Sequence, residues 1–223
     1  MFFIEQSSEK RRNYTLYLKA VGALSHLSSD NPTVPYLYYR MLEKVFCRVF
    51  GAEDLSRRDI AIDAKVSCYG IGLKTFLYRK GNSMEKISEF NKDREKYEEL
   101  QHNPKKLVKI IAELRNERLK KTCVDYKISF KNLLYHCVAR KDNILSLHEE
   151  KMSPIDIKSI ELLTNKSKSP NITYFKDNKN EYSFNFSKST LFKRFIVKPI
   201  YEIPVKIIDD PLPFLKDFIK KQK

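Results

Sequence analysis

Apolar positions recur every three to four residues along the first fifty positions of the chain, and that is the spacing of one helix face. Leu16, Leu18, Val21, Leu24 and Leu27 predict a helix over 14–27. Leu37, Met41, Val45 and Val49, widened by Leu42 and Phe46, predict a second from about Val34 to Phe50, ended by Gly51. The period then shortens to two. Asp59–Val66 reads as a strand, Ser67-Cys68-Tyr69-Gly70 as its turn, and Ile71–Tyr78 as a second strand. Helices are expected over Met84–Leu100 and Lys105–Lys121, the latter entered through Pro104. Further strands are expected over Val124–Phe130, Leu133–Ala139 and Ile144–Leu147, then a short helix over Ile155–Leu163 behind Ser153-Pro154. Ile172–Phe175 and Tyr182–Phe186 flank Asp177-Asn178-Lys179-Asn180 as a hairpin, and a last helix covers Pro213–Lys221. The pattern is a mixed α/β chain, helical first and rich in strands later. It reads as one domain over 1–223, with a helical part and hairpin in 1–122 and a β-rich part in 123–223.

Charge changes the picture. The 43 Lys and Arg against 28 Asp and Glu leave +15, which favours a polyanionic partner because basic surfaces gain by releasing counterions from phosphates. An anionic membrane surface is the competing partner, but the pattern has no long basic amphipathic helix with a clean apolar face. No apolar run approaches the ~18 residues of a membrane span, and charge interrupts Met1-Phe2-Phe3-Ile4-Glu5 too early for a signal peptide. Cys47, Cys68, Cys123 and Cys137 form no CxxC pair and lie in apolar segments, so buried thiols in a cytoplasmic protein are expected.

The chemistry concentrates between Asp59 and Lys74, with Glu43 on the helix before it. Cutting a phosphodiester calls for a hard cation on carboxylates, with a lysine to orient the attacking water. A hairpin can supply an acid on one strand and an acid-x-Lys triplet on the next, with the acid and the lysine on one face. Gly72-Leu73-Lys74 occupies the triplet position with glycine in place of the acid, and a reaching Glu43 can fill that gap. Asp63-Ala64-Lys65 offers a second register, whose partner acid would be Glu53 or Asp54. It ranks lower because Asp54 stands only a few residues upstream. The plainer reading makes Asp59 and Asp63 turn or strand-edge residues, Lys74 an edge lysine and Glu43 an exposed helix position.

The helix with Glu43, Arg58-Asp59-Ile60-Ala61-Ile62-Asp63 and Gly70-Ile71-Gly72-Leu73-Lys74-Thr75-Phe76 together resemble the PD-(D/E)xK nucleases, and among them type II restriction endonucleases. No proline precedes Asp59, and the triplet lacks its acid. The resemblance implies a central mixed β-sheet flanked by helices, Mg²⁺ held by Asp59 or Asp63 with Glu43, and Lys74 as catalytic lysine. It also implies site-specific hydrolysis of double-stranded DNA, for which a homodimer matches a palindromic site, the Met84–Leu100 helix or its neighbour forming the interface.

Other sites are poorer. His26, His102, His136 and His148 are scattered without zinc spacing, no His-x-Lys is present, and no Gly-x-Ser-x-Gly elbow surrounds Ser67, Ser187 or Ser189. His136 beside Cys137 reads as a satisfied core pair. With five glycines, and no third one after Gly70-x-Gly72, no nucleotide cofactor is expected. DNA contact is expected from Ser187, Lys188, Ser189, Thr190, Lys193 and Arg194, with Arg194 able to read a guanine edge. Arg140-Lys141, Lys166-Ser167-Lys168 and the basic 105–121 helix are further phosphate contacts. The alternative function is a basic nucleic-acid-binding protein without chemistry.

Overall fold

The helices form where capping and apolar spacing agree. Helix α1 (Ser8–Ala23) starts when the Ser7 hydroxyl accepts the Lys10 N–H, eight residues ahead of Leu16, where the apolar stripe that predicts it begins. Helix α2 (Tyr39–Phe50) stops at Gly51, whose φ of 67° is the left-handed conformation that lets Ala52 N–H reach the Cys47 carbonyl at 3.0 Å. The structure, a computed structural model, describes residues 1–78, 80–166 and 169–221.

Two sheets follow. The first holds β1 (Glu53–Asp54), β2 (Ala64–Val66), β3 (Tyr69–Leu77), β5 (Leu133–Lys141), β6 (Ile144–Lys151) and β11 (Tyr201–Pro204), side by side in that order. Its neighbours are antiparallel except β3 and β5, which run parallel, so the sheet is mixed. A parallel pair needs a long crossover, and here it carries β4 (Asn82–Glu89) and α3 (Pro104–Tyr126). The second sheet is antiparallel throughout, in the order β4, β10 (Thr190–Ile196), β9 (Glu181–Asn185), β8 (Ile172–Lys176) and β7 (Glu161–Leu162). A final helix, α4, spans Pro211–Lys220. The sheets do not divide the chain at residue 122: β4 joins the later sheet, and β5, β6 and β11 join the earlier one.

Alternation along β3 separates two cores. Ile71 and Leu73 pack with Phe46, Phe50, Tyr14 and Leu18 under α1 and α2. Phe76 turns the other way, toward Tyr135, Cys137, Phe195 and the C-terminal half of α3. The N-terminal half of α3 covers the second sheet through Leu107, Ile111 and Leu114. Each buried aromatic or aliphatic side chain contributes roughly 1.5–3 kcal/mol by leaving water.

Beyond shifts of helix ends, four expected elements differ. The strand expected over Asp59–Val66 is confined to Ala64–Val66, because residues 55–63 form the loop that returns the chain from β1 to β2. Residues 84–100 are not a helix: Asn82–Glu89 is strand β4, followed by 3-10 turns over Asn91–Lys96 and Glu98–Leu100. Pairing along the whole of β10, from Asn82↔Ile196 to Glu89↔Thr190, outweighs the helical spacing of Ile87, Phe90 and Tyr97. A helix expected there as one candidate for a dimer interface is therefore not formed, whereas its neighbour α3 is. Residues 124–130 are not a strand, because α3 runs on to Tyr126 and is capped by Lys127 at φ 53°. Residues 155–163 hold a 3-10 turn (Ile157–Ser159) and β7 instead of a helix. The Asn116 side chain binds both the Ile155 N–H and its carbonyl at 2.8 Å, which fixes that backbone before a helix can start.

Candidate functional site

The β2–β3 hairpin turns through Ser67 and Cys68, with Val66 opposite Tyr69 and Ala64 opposite Ile71. Ser67 takes φ 50°, the positive angle that a two-residue hairpin turn demands. This register brings Asp63 to the level of Gly72. The Asp63 N–H donates to the Ile71 carbonyl at 2.8 Å, and Asp63 Oδ2 accepts the Leu73 N–H at 2.7 Å. One carboxylate oxygen is thus locked in the edge of the sheet, beside the residue that precedes Lys74. The other has no hydrogen-bond partner among the described residues.

Asp59 lies elsewhere. It sits in the loop between β1 and β2, 54% exposed at its side chain, pairing with Lys92 at 3.0 Å and Arg118 at 3.5 Å. The Lys92 hydrogen bond, helped by the charges of Arg118 and Lys92, holds its carboxyl below the ordinary value.

Glu43 is buried on the inner side of α2, where Arg40 donates to it at 2.9 Å. Arg40 also donates to the Ser56 hydroxyl at 2.8 Å. Burial pushes the Glu43 carboxyl up; the hydrogen bonds of Arg40 and Ser56 pull it down, and the negative charge of Asp63 adds to the rise. Glu43 and Asp63 therefore feel each other. Glu43 does not fill the space over Gly72, which Met152 and Tyr135 occupy: a Cβ there would stand 2.7 Å from Met152 Cε and 2.9 Å from Tyr135 Cδ1.

The second register is better formed than its spacing implied. Strand β1 pairs with β2, Glu53 opposite Lys65 and Asp54 opposite Ala64, because the loop of residues 55–63 is long enough to reverse the chain. Asp54 accepts hydrogen bonds from both the N–H and the hydroxyl of Ser56. Opposite residues share a face, so Asp54 lies with Ala64, whose methyl packs in the α2 core, while Lys65 lies with Glu53 on the other side. Burial, then the charges of Asp54, Glu43 and Asp63, push the Cys47 thiol up to about 12.

Lys74 shares the face of Phe76, away from α2 and Glu43. It makes no ion pair or hydrogen bond among the described residues. The carboxylate whose pKa it lowers is Glu85 of β4. Burial raises Glu85; the Ser83 hydrogen bond and the charges of Lys74 and Arg140 oppose the rise. The helical spacing of Ile87, Phe90 and Tyr97 hides Glu85 in the sequence; the alternation of Ser83, Glu85 and Ile87 is the signal that marks it.

This ionic layer continues between the sheets. Lys193, 4% exposed, pairs with Glu150 and donates to the Arg194 carbonyl at 3.0 Å, and Glu150 also lies 3.2 Å from His148 Nε2. Burial works against Glu150 most strongly, yet the His148 hydrogen bond and the Lys193 charge together bring its carboxyl below the ordinary value. At the centre, burial drives the Cys137 thiol well up, with Glu150 and Glu85 adding to it and Lys74 and Lys193 opposing. Of these residues His148, Glu150 and Lys193 line a 680 Å³ cleft, together with Lys176, Lys179 and Lys198.

The residues expected to touch DNA divide. Ser187 and Lys188 are exposed. Ser189 is fully buried at φ 51°, with its carbonyl accepting the Phe90 N–H, and Thr190 binds the Lys188 carbonyl at 2.6 Å. Lys193 is committed to Glu150, and Arg194 donates to Glu181 at 2.8 Å and Asn82 at 2.7 Å. Arg140 is half-buried over Tyr36, and Lys141 pairs with Glu202. Ser167 and Lys168 lie outside the described residues. On α3, Lys105, Lys106, Lys109, Lys120 and Lys121 are exposed.

His136 is satisfied in the core, 2.9 Å from the Tyr14 hydroxyl and 2.8 Å from Glu149. Cys123 and Cys137 are buried and Cys47 half-buried, but Cys68 is exposed because it sits in the hairpin turn; all four are free. No helix among the described residues is long and apolar enough to cross a membrane.

Among the described residues no group of three or more His, Cys, Asp or Glu side chains is arranged to hold a metal ion. Mg²⁺ does not require one, because it commonly takes one or two carboxylates and completes its shell with water and substrate phosphate. Asp63, with one oxygen fixed and one unpartnered, has the donor chemistry for that role. Glu43 has one oxygen taken by Arg40 at 2.9 Å and is buried under α2, away from the face of Lys74. No family model, curated protein or solved structure matches this chain.

Proposed function

We infer that this protein is a Mg²⁺-dependent endonuclease of the restriction type, acting on double-stranded DNA. The observation that carries the reading is the hairpin in its frame. A helix leads into an antiparallel hairpin within a mixed sheet, and Asp63 is anchored on the N–H of the residue before Lys74. In this reading Asp63 would hold the cation, whose chemistry is to polarise the phosphoryl oxygen and to acidify a bound water. Lys74 would orient the water and offset charge that builds on the phosphorus. Asp59 and Glu43 have no part in it, since each is tied to cations of the protein itself. A homodimer is the economical form if the site cut is palindromic.

Incubation with a phage genome, in Mg²⁺ and separately in EDTA, tests the reading. Discrete, metal-dependent fragments are expected, with Lys74→Ala reducing cleavage by at least about 100-fold while duplex binding persists. Cleavage by Lys74→Ala at the normal rate would remove Lys74 from the chemistry.

One observation favours a second reading, a nucleic-acid-binding protein without chemistry: Glu43 and Lys74 lie on opposite faces of the sheet. That reading expects salt-sensitive binding of DNA with no product in Mg²⁺.

A further inference from the structure

Helix α2 begins at an unusual residue. Its N-cap position, where Ser or Asp would accept a backbone N–H, is held by Tyr38, whose side chain makes no capping bond. Capping therefore does not explain this tyrosine, and neither does burial. Tyr38 is 44% and Tyr39 47% exposed, with ring centroids 4.4 Å apart and the two rings tilted at 58° to each other. The Arg40 guanidinium stands 5.1 Å from the centre of the Tyr39 ring.

Beside the tyrosines is an apolar groove of 180 Å³, walled by Tyr36, Tyr38, Met41, Leu24 and Leu27. It is of a size to take one planar ring. Beyond Met41 the exposed side of α2 carries Lys44 and Arg48, and neither is in an ion pair among the described residues. Glu43, the only acid of α2, is turned inward. The exposed face thus runs from aromatic rings to free cations over ten residues, about 15 Å of helix. Rings that accept a base by stacking, next to cations that follow phosphates, are the chemistry that holds single-stranded nucleic acid without regard to sequence. Charge complementarity favours the same occupant, given +15 on the chain.

We propose that the Tyr38–Tyr39 pair is a stacking platform for an unpaired nucleobase, and that Lys44 and Arg48 take the neighbouring phosphates of a single-stranded DNA segment. The proposal rests on the nucleic-acid reading above and deepens it: the substrate has, or acquires, an unpaired base near the hairpin.

Fluorescence anisotropy in EDTA, which keeps cleavage out of the measurement, tests it with three labelled probes: an oligothymidylate, an abasic strand of the same length and a duplex. Tyr38→Ala/Tyr39→Ala is expected to weaken oligothymidylate binding about tenfold or more, and to change abasic-strand and duplex binding less than about threefold. Tyr38→Phe/Tyr39→Phe keeps the rings and is expected to bind as the parent does, which separates stacking from misfolding. Unchanged oligothymidylate binding by the double alanine variant, or equal weakening for all three probes, overturns the platform while leaving duplex binding and cleavage to be judged on their own. A parent protein that binds none of the probes overturns the platform together with the nucleic-acid reading.

Discussion

Glu43 under helix α2 and Glu150 between the sheets are both carboxylates withdrawn from water and paired with a cation, yet their acidities move in opposite directions. Glu43 has one guanidinium, itself a third exposed, and burial prevails, so its carboxyl is raised. Glu150 suffers burial as its largest single influence too, but His148 and Lys193 together outweigh it and the carboxyl is lowered. The number and placement of partners decide the sign, not burial alone. The regions also differ in what they can do. The α2 side is a largely apolar core that holds the Tyr14–His136–Glu149 hydrogen bonds, with the Arg40–Glu43 ion pair at its rim, and its exposed face is free to meet a ligand. In the layer between the sheets Lys193 is paired with Glu150, while Lys74 makes no ion pair or hydrogen bond among the described residues.

The largest expected effect tests the Lys193–Glu150 pair. Lys193→Met leaves Glu150 with His148 alone and should cost about 3 kcal/mol of stability in urea denaturation. Adding Glu150→Leu should recover most of the loss, because the desolvated charge disappears with its partner. If Lys193→Met is as stable as the parent, the layer is ornamental and the contrast with Glu43 collapses. A smaller effect, about 1–3 kcal/mol, is expected for Gly72→Ala, since the new methyl would press on Met152 and on a Tyr135 ring already held by Phe195 and Arg115. An unchanged melting temperature would show slack where contact is drawn.

The smallest effect sharpens the comparison through pH. Glu150, lowered in the folded state, contributes stability that is present above the ordinary carboxyl value of 4.5 and is lost as pH falls through its folded value. Glu43, raised, contributes the reverse: stability falls as pH rises from 4.5 through its folded value. Relative to the parent, Glu43→Gln should therefore gain stability between pH 4 and pH 7, whereas Glu150→Gln should lose it. Slopes of the same sign in chemical denaturation across that range would refute the assignment of the two environments.

Local chemistry was enough to determine part of this molecule. The α2 stripe with Gly51 behind it, Pro104 at the head of α3, and the 172–186 hairpin around Asp177–Asn180 are written in short-range spacing and turn residues, and they formed as expected. The β2–β3 hairpin was also legible, with Lys74 on its second strand. What the tertiary structure decided is everything set by a partner distant in sequence. Residues 82–89 became a strand because β10, about a hundred positions later, lies along them, and no local spacing carries that information. Which of Asp59 and Asp63 lies beside Gly72-Leu73 was set by the register of a two-residue turn, which carries Asp63 to the Leu73 N–H and leaves Asp59 to Lys92 and Arg118. Lys193 and Arg194 look like free cations in the chain, and only packing supplied Glu150 and Glu181 as their counterparts. Side-chain type sets what a residue can do, but the carboxylate it meets is chosen by chain reversals and sheet pairing over tens of residues.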